Sequence, residues 1–354
     1  MFTNKRFSPF SLLSLSLLLV FAFASCQPDD IEEPATQFTP EQLANIDMCL
    51  TPNHIPNRSL PGELDERACG DPNFFWSPGE TIKVKFLTSN PALQAKVMGY
   101  AKQWEQYANI HFQVVTSGLS DLRVSFTMGI GTWSAVGTDC WGLDTTMTLG
   151  INSATSESTI KRYTLHEFGH ALGMKHEHQH PLADIPWNKP AAYAYYQATQ
   201  GWSKKLVDQW VLNEFDPLDV TYADYDPNSI MHYHIDAALT WGFTSTPWNF
   251  NISELDKTFI RQMYSPFRVQ LTNKAWGKTI RIKVAGIRYT IPPGDFLNVP
   301  VTPGLFTTIS ILEQVGGVWY WDNSQSLMWS NLEYRIVPEA APNHYKIEVD
   351  EDDE

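Results

Sequence analysis

Cysteine is scarce in this chain, with four in 354 residues, at Cys26, Cys49, Cys69 and Cys140. A disulfide framework is therefore not what holds the fold; the length leaves ample chain for a sizeable core and favours two domains. Positive charge is also short. Lys and Arg number 25 against 39 Asp and Glu, for a formal net charge of -14 and a pI near 5.1. Such a balance excludes nucleic acid and an anionic membrane surface as partners. No internal repeat is evident. What the chain has in quantity is apolar and aromatic residues, 43% and 13% of the total, the composition of a packed globular protein.

Lys5 and Arg6 precede an apolar stretch from Phe10 to Ala24. It is too short to span a core of about 30 Å and ends in small residues, so residues 1–25 read as an export signal. Two processing sites compete. Ala22-Phe23-Ala24 fits an ordinary A-x-A site, whereas Phe23-Ala24-Ser25-Cys26 resembles a lipobox with Phe where Leu is usual. The lipoprotein reading is preferred, because Cys26 is otherwise unexplained, and the acidic Gln27-Pro28-Asp29-Asp30 resembles the start of some surface lipoproteins. The expected location is exported: an outer-membrane or cell-surface lipoprotein, or a secreted protein, touching the membrane only through a lipid anchor. Cys49, Cys69 and Cys140 remain, an odd number that makes one disulfide and one spare thiol the simplest arrangement.

Residues 26–72 are rich in Pro, Asp and Glu and form a tether or a pro-segment. Thr81 to Leu87 alternates as a strand. Asn90 and Pro91 open a helix predicted to reach Tyr107, with Leu93, Val97, Tyr100, Ala101, Trp104 and Ala108 on one face. Ile110–Val115, Leu122–Phe126 and Thr146–Ile151 read as further strands. A helix from Ser158 or Thr159 to Gly173 follows, then one around Pro190–Gln200. Ser253-Glu254-Leu255-Asp256 is a capping box opening a last helix with Leu255, Phe259 and Met263 on one face. This order describes an α+β domain over residues 73–266. From 267 to 354, short β-like runs at Thr279–Val284, Phe306–Ile311 and Tyr345–Val349 predict a small all-β module.

The chain is organised around His166-Glu167-Phe168-Gly169-His170-Ala171-Leu172-Gly173-Met174-Lys175-His176-Glu177. On a helix, residues four apart share a face, so His166 and His170 aim two imidazoles at one point. Glu167 is one residue round, within reach of a water on the same ion. Gly173 can take φ > 0 and turn the chain, returning His176 as a third ligand. Three nitrogens with one open position are a catalytic zinc site for a single Zn²⁺. The pattern is that of the metzincin peptidases. Ser229-Ile230-Met231-His232-Tyr233 follows downstream, where the metzincin Met-turn packs beneath the zinc histidines.

Glu177 directly after the third histidine, the Ser229–Tyr233 turn, and Gly131–Ser134 with Val136-Gly137 together resemble the astacin family of zinc endopeptidases. The resemblance covers about residues 78–266 and is nearest a bacterial and fungal branch with His-Glu-His-Gln-His-Pro, here His176–Pro181. It implies a metzincin-type domain: a mixed twisted sheet, an active-site helix and a Met-turn in the lower subdomain. It also implies His166, His170 and His176 as zinc ligands and Glu167 as general base and acid. Tyr233 becomes the residue that alternates between zinc and the oxyanion, with Met231 and Glu177 as structural support. The substrate is a protein or peptide and the enzyme a monomer. An acidic residue after the scissile bond is often preferred in the family, for which Lys257 and Arg261 are candidate partners. The cysteines that animal members carry in the Gly-x-Trp-Ser segment and before the active helix are absent here, where Thr132 takes the first place.

Arg67-Ala68-Cys69-Gly70-Asp71 resembles the cysteine switch of matrix metalloproteinases, in which a thiolate takes the open zinc position. Astacin-type propeptides use an Asp after Gly, for which Asp71 would serve. A plain disulfide from Cys69 to Cys49 or Cys140 is the third reading. A different function class also stands: a surface-binding lipoprotein whose 267–354 module binds protein or glycan, with Trp319, Tyr320 and Trp321 as stacking or buried aromatics.

Overall fold

The computed structural model describes Gly70 and residues 74–349, apart from 129–130, 218–219, 243–244, 276, 301–305, 316–317, 329–333 and 340–343. The export signal, the tether or pro-segment, Cys26, Cys49, Cys69 and Asp71 lie outside the described residues, as do the side chains of Trp319 and Tyr320. Among the described residues no helix is long and apolar enough to cross a membrane.

The first layer is a five-stranded sheet of β1 (Thr81–Phe86), β2 (His111–Val114), β3 (Leu122–Phe126), β4 (Trp133–Ser134) and β5 (Met147–Leu149), in the order β2-β1-β3-β5-β4. All pairings are parallel except β5 with β4, which lies antiparallel at the edge. Ile82, Val84, Leu122, Val124, Met147 and Leu149 are buried and meet two helices. The first, α1 (Pro91–Ala101), is capped by Asn90, whose side chain accepts the Leu93 N–H at 3.2 Å. It stops six residues short of its expected end, and a 3₁₀ turn at Trp104–Gln106 follows. The tighter turn brings the buried Trp104 indole N–H to the Leu165 carbonyl at 3.0 Å. The second, α2 (Glu157–Ala171), carries the histidine motif and is capped by Ser156, earlier than expected. Its Leu165, Phe168, Ala171 and Leu172 face the sheet, with Phe168 edge-on to Phe112 at 5.1 Å.

Beyond the motif lie α3 (Lys189–Gln200), capped by Asn188 and ended by Gly201 at φ 69°, and α4 (Lys204–Val207), which runs into a π turn at Asp208–Leu212. The last two have no counterpart in the sequence expectations. With Ile235 and Leu239 they enclose a small separate core around Tyr196, Val207 and Val211. The helix α5 (Glu254–Met263) has its expected capping box. Its buried face is Asp256, Phe259, Ile260 and Met263, while Leu255 is 38% exposed. The face is rotated from the expected one because the Asp256 carboxylate turns inward, as described below.

The remaining strands are β6 (Arg268–Asn273), β7 (Ile280–Val284), β8 (Ile287–Ile291), β9 (Phe296–Pro300), β10 (Phe306–Val315), β11 (Val318–Met328), β12 (Tyr334–Pro338) and β13 (Tyr345–Val349). They form two four-stranded sheets, β11-β10-β7-β8 and β13-β12-β6-β9. Ile280, Ile282, Val284, Ile287, Tyr289 and Ile291 alternate inward along one hairpin. Its two-residue turn has positive φ at both Ala285 and Gly286, the form that matches strand twist. The fold is thus α+β followed by a β-rich region, and one continuous apolar core runs through both. A backbone bridge joins Tyr222 to Arg288, whose guanidinium donates to the Ala223 carbonyl at 2.7 Å and to the Asp224 carboxylate at 2.8 Å.

Candidate active site

Helix α2 puts His166 and His170 on one side. It ends when the Met174 N–H returns to the Gly169 carbonyl at 3.0 Å, with Gly173 at φ 91° between them. That reversal brings back His176, and one nitrogen from each of the three histidines lies within 4.8 Å of the others. All three rings are buried.

Hydrogen bonds settle the tautomers of His166 and His170. His166 Nδ1 lies 2.7 Å from the Ile230 carbonyl and His170 Nδ1 2.8 Å from the Met174 carbonyl. A carbonyl only accepts, so each Nδ1 carries the proton and each Nε2 presents a lone pair. Burial holds His166 well below the usual imidazole range and His170 down at about 4, so both stay neutral and ligand-competent. The Nε2 atoms of His170 and His176 face each other at 3.1 Å. The buried Nε2 of His166 has no hydrogen-bond partner among the described residues. Converging imidazole nitrogens, with no hydrogen-bond partner for the His166 Nε2 among the described residues, fit a zinc ion, and a carbonyl behind each of two ligands is the usual outer support of such a centre.

Around this centre stand Glu167 and Tyr233. Glu167 is fully buried and, with Thr132, Arg162, Tyr163, His166, His232 and Tyr233, lines a small pocket beside the histidines. The Tyr233 ring lies 4.5 Å from that of His176 and 6.3 Å from that of His166. Arg162 reaches the same pocket with its guanidinium 4.4 Å from the Trp248 ring. Lys257 and Arg261 are not in it; both sit over the Tyr107 ring.

The Ser229–Tyr233 turn runs directly under α2. Met231 is fully buried, and a Cβ on Gly169 would overlap its sulfur. Glycine between the two helix histidines is therefore a packing requirement, which the H-E-x-x-H pattern by itself did not signal. Asp256 was legible only as the third residue of a capping box. It accepts the Ser229 hydroxyl at 2.6 Å, the Ile230 N–H at 2.8 Å and the Ser253 N–H at 2.9 Å. Ile230 thus donates its N–H to Asp256 and, through its carbonyl, accepts from His166 and orients it. Glu177 donates its backbone N–H to the Met231 carbonyl at 3.0 Å and accepts the Asp226 N–H at 2.9 Å through its carboxylate, and burial raises its pKa well above the carboxylate range.

Two expectations concern thiols. Cys140 is a free, buried cysteine whose pKa is pushed up to about 12 by burial. Cys69 is not described, but its neighbour Gly70 bridges Met174 and accepts the Thr221 N–H at 3.0 Å.

A helix that supplies two ligands, a glycine turn that supplies the third and a methionine beneath them are the arrangement of metzincin zinc metalloendopeptidases. The profile of the Astacin peptidase family matches residues 69–274, more than half of the chain, and the chain belongs to that family. Its cofactor is one catalytic zinc, and its substrates are proteins or peptides. Among solved structures, it is similar to "Structure of myroilysin", with 41% identity, 55% of this chain and 96% of that chain covered, and a TM-score of 0.53. A second structure of myroilysin matches at 36% identity, covering 64% and 97%, with a TM-score of 0.47. High choriolytic enzyme 1, a hatching enzyme zinc-protease from Oryzias latipes (Medaka fish), matches at 21% identity, covering 56% and 98%, with a TM-score of 0.40. No curated protein matches the chain.

Proposed function

We propose that this zinc endopeptidase is exported and hydrolyses peptide bonds of extracellular proteins, with Glu167 as general base and acid and Tyr233 as oxyanion donor. The observation that carries the reading is the single pocket in which Glu167, Tyr233 and His166 meet. When bound by His166, His170 and His176, zinc supplies Lewis acidity and draws the pKa of a water towards neutrality. Glu167, buried beside that centre, takes the proton of the attacking water and passes it to the leaving amine. The Tyr233 phenol donates to the developing oxyanion. The peptide lies extended along β4, at the edge of the sheet, where its backbone adds as another strand. Arg162 is the pocket cation that meets a substrate carboxylate next to the scissile bond, in place of Lys257 or Arg261.

Glu167→Gln should abolish cleavage of an unfolded protein while zinc content stays at one per chain. Cleavage at the wild-type rate by that variant sinks the assignment. Export through lipidation of Cys26 predicts a mature N-terminus at that residue carrying acyl mass; mass spectrometry of the secreted or membrane fraction decides between this and cleavage after Ala24. The segment 26–72, read as inhibitory rather than a plain tether, should lower activity when present. Equal rates with and without it would leave only the tether.

A further inference from the structure

Tyr233 is held tightly through its backbone. Its carbonyl accepts the His232 Nδ1–H at 2.6 Å and the Thr246 hydroxyl at 2.8 Å, and the same Thr246 oxygen takes the Ile235 N–H at 2.7 Å. These bonds fix the chain on both sides of the residue. They do not choose where the phenol points, because rotation about the side-chain bonds remains. The ring itself is packed against the imidazoles of His178, His176 and His166.

The flattest contact is His178. Its imidazole stacks on the Tyr233 ring with centroids 4.1 Å apart and planes 19° apart, whereas His176 meets the ring at 56°. His178 is itself buried and anchored. Its Nε2 lies 3.3 Å from the Trp210 carbonyl, which fixes the proton on that nitrogen. The neighbouring Gln179 side chain donates to the Gln209 and Asn213 carbonyls, each at 2.9 Å, and the Gln179 backbone carbonyl takes the Phe215 N–H at 2.9 Å. All four contacts go to the π turn Asp208–Leu212 or the residues just after it. A π turn offers its carbonyls out of the ordinary helical register, and here two consecutive side chains take them up.

From this geometry we infer that His178 is a positioning residue for Tyr233: anchored on the π turn, its ring forms the plate that sets the phenol where the oxyanion develops. The inference rests on the oxyanion reading of Tyr233. It requires a flat ring at position 178, with the bond to Trp210 serving to hold the plate and not to react.

The test is steady-state kinetics on one peptide substrate, with zinc content and melting temperature measured for each variant. His178→Phe keeps the ring and loses the donor; His178→Gln keeps a donor and loses the ring. We expect His178→Phe to stay within about threefold of wild-type kcat, and His178→Gln and His178→Ala to lose about tenfold in kcat with KM within about twofold, all with zinc retained. Tyr233→Phe should lose about a hundredfold in kcat. The double variant His178→Ala/Tyr233→Phe should be no slower than Tyr233→Phe alone, because the plate has nothing left to position. A further tenfold loss in the double variant, or wild-type kcat in both His178→Gln and His178→Ala, overturns the inference and leaves the oxyanion reading intact. Wild-type kcat in Tyr233→Phe overturns the oxyanion reading itself. If His178→Ala does not fold, the Phe and Gln variants decide: equal losses in the two overturn the inference.

Discussion

The two regions of the described chain bury different kinds of atoms. Up to α5 the interior holds Thr164, His166, Glu167, His170, Glu177, Asp226, His232 and Asp256 beside its apolar residues. From β6 onward, the buried polar residues among those described are Asn273 and Ser310. Asn273 is well partnered, its side-chain amide donating to the Lys278, Ile291 and Pro292 carbonyls and its side-chain oxygen accepting the Ala275 N–H. Among its described residues, the β-rich region is an apolar core that buries few polar side chains. The α+β region is an apolar shell around a polar apparatus, and a buried polar group costs free energy unless partnered. The chemistry therefore sits where the fold has carried that cost, and the family profile likewise ends at residue 274.

That contrast can be broken most sharply at Asp256. Its replacement by Ala leaves the Ser229 hydroxyl and the Ile230 and Ser253 amides without their acceptor. We expect a loss of about 3–5 kcal/mol in stability and a roughly 10–100-fold weaker hold on zinc, read by urea unfolding and chelator competition. Unchanged zinc affinity would show that the turn beneath His166 is set by something else. Ile282→Ala, fully buried in β7, should cost about 2–5 kcal/mol in the same unfolding assay and leave zinc affinity alone. A zinc effect there would erase the distinction between the regions. Gly169→Ala should cost about 1–3 kcal/mol, because its new methyl and the Met231 sulfur cannot occupy the same space. The expected signature is a lowered melting temperature that Gly169→Ala/Met231→Ala partly restores.

The smallest expected effect is a pH slope. Burial depresses His180 and His232 to about 4 from the ordinary 6.5. Their charged forms are thus disfavoured in the folded state. The stability they permit is complete above pH 6.5 and is lost as pH falls towards 4, because the unfolded chain binds the proton first. Between about pH 7 and about pH 5 each should cost roughly 1–2 kcal/mol. His232→Gln should remove its share of the slope, measured as the difference in urea midpoint between the two pH values. The hairpin around Ala285 and Gly286 holds no such histidine.

The zinc ligands were legible because helix periodicity and one glycine turn are local matters that a short pattern captures. The Ser229–Tyr233 turn was legible as a motif, though not its attachment to Asp256, which depends on a contact 26 residues away. The same long reach explains the misjudged face of α5: spacing alone favoured Leu255, while the actual rotation serves a carboxylate. The early stop of α1 was hidden for a similar reason, since Trp104 answers to Leu165 rather than to its own helix. The π turn at Asp208–Leu212 left no usable trace, because five residues are too few for a period and its carbonyls are claimed by His178 and Gln179. Alternation in β7 was plain, since a strand needs only one buried face, whereas β8 was not among the expected runs.

The bridge between Tyr222 and Arg288 also orders events in time. A ribosome releases residues 217–226 well before β8 exists, so this segment, whose Asp226 amide holds Glu177, emerges without the strand that will grip it. Thr290 closes on the Pro217 carbonyl at 3.3 Å in the same late step. A newborn chain cut short after α5 would carry every residue of the zinc site and still lack the contacts that Arg288 and Thr290 make to this segment.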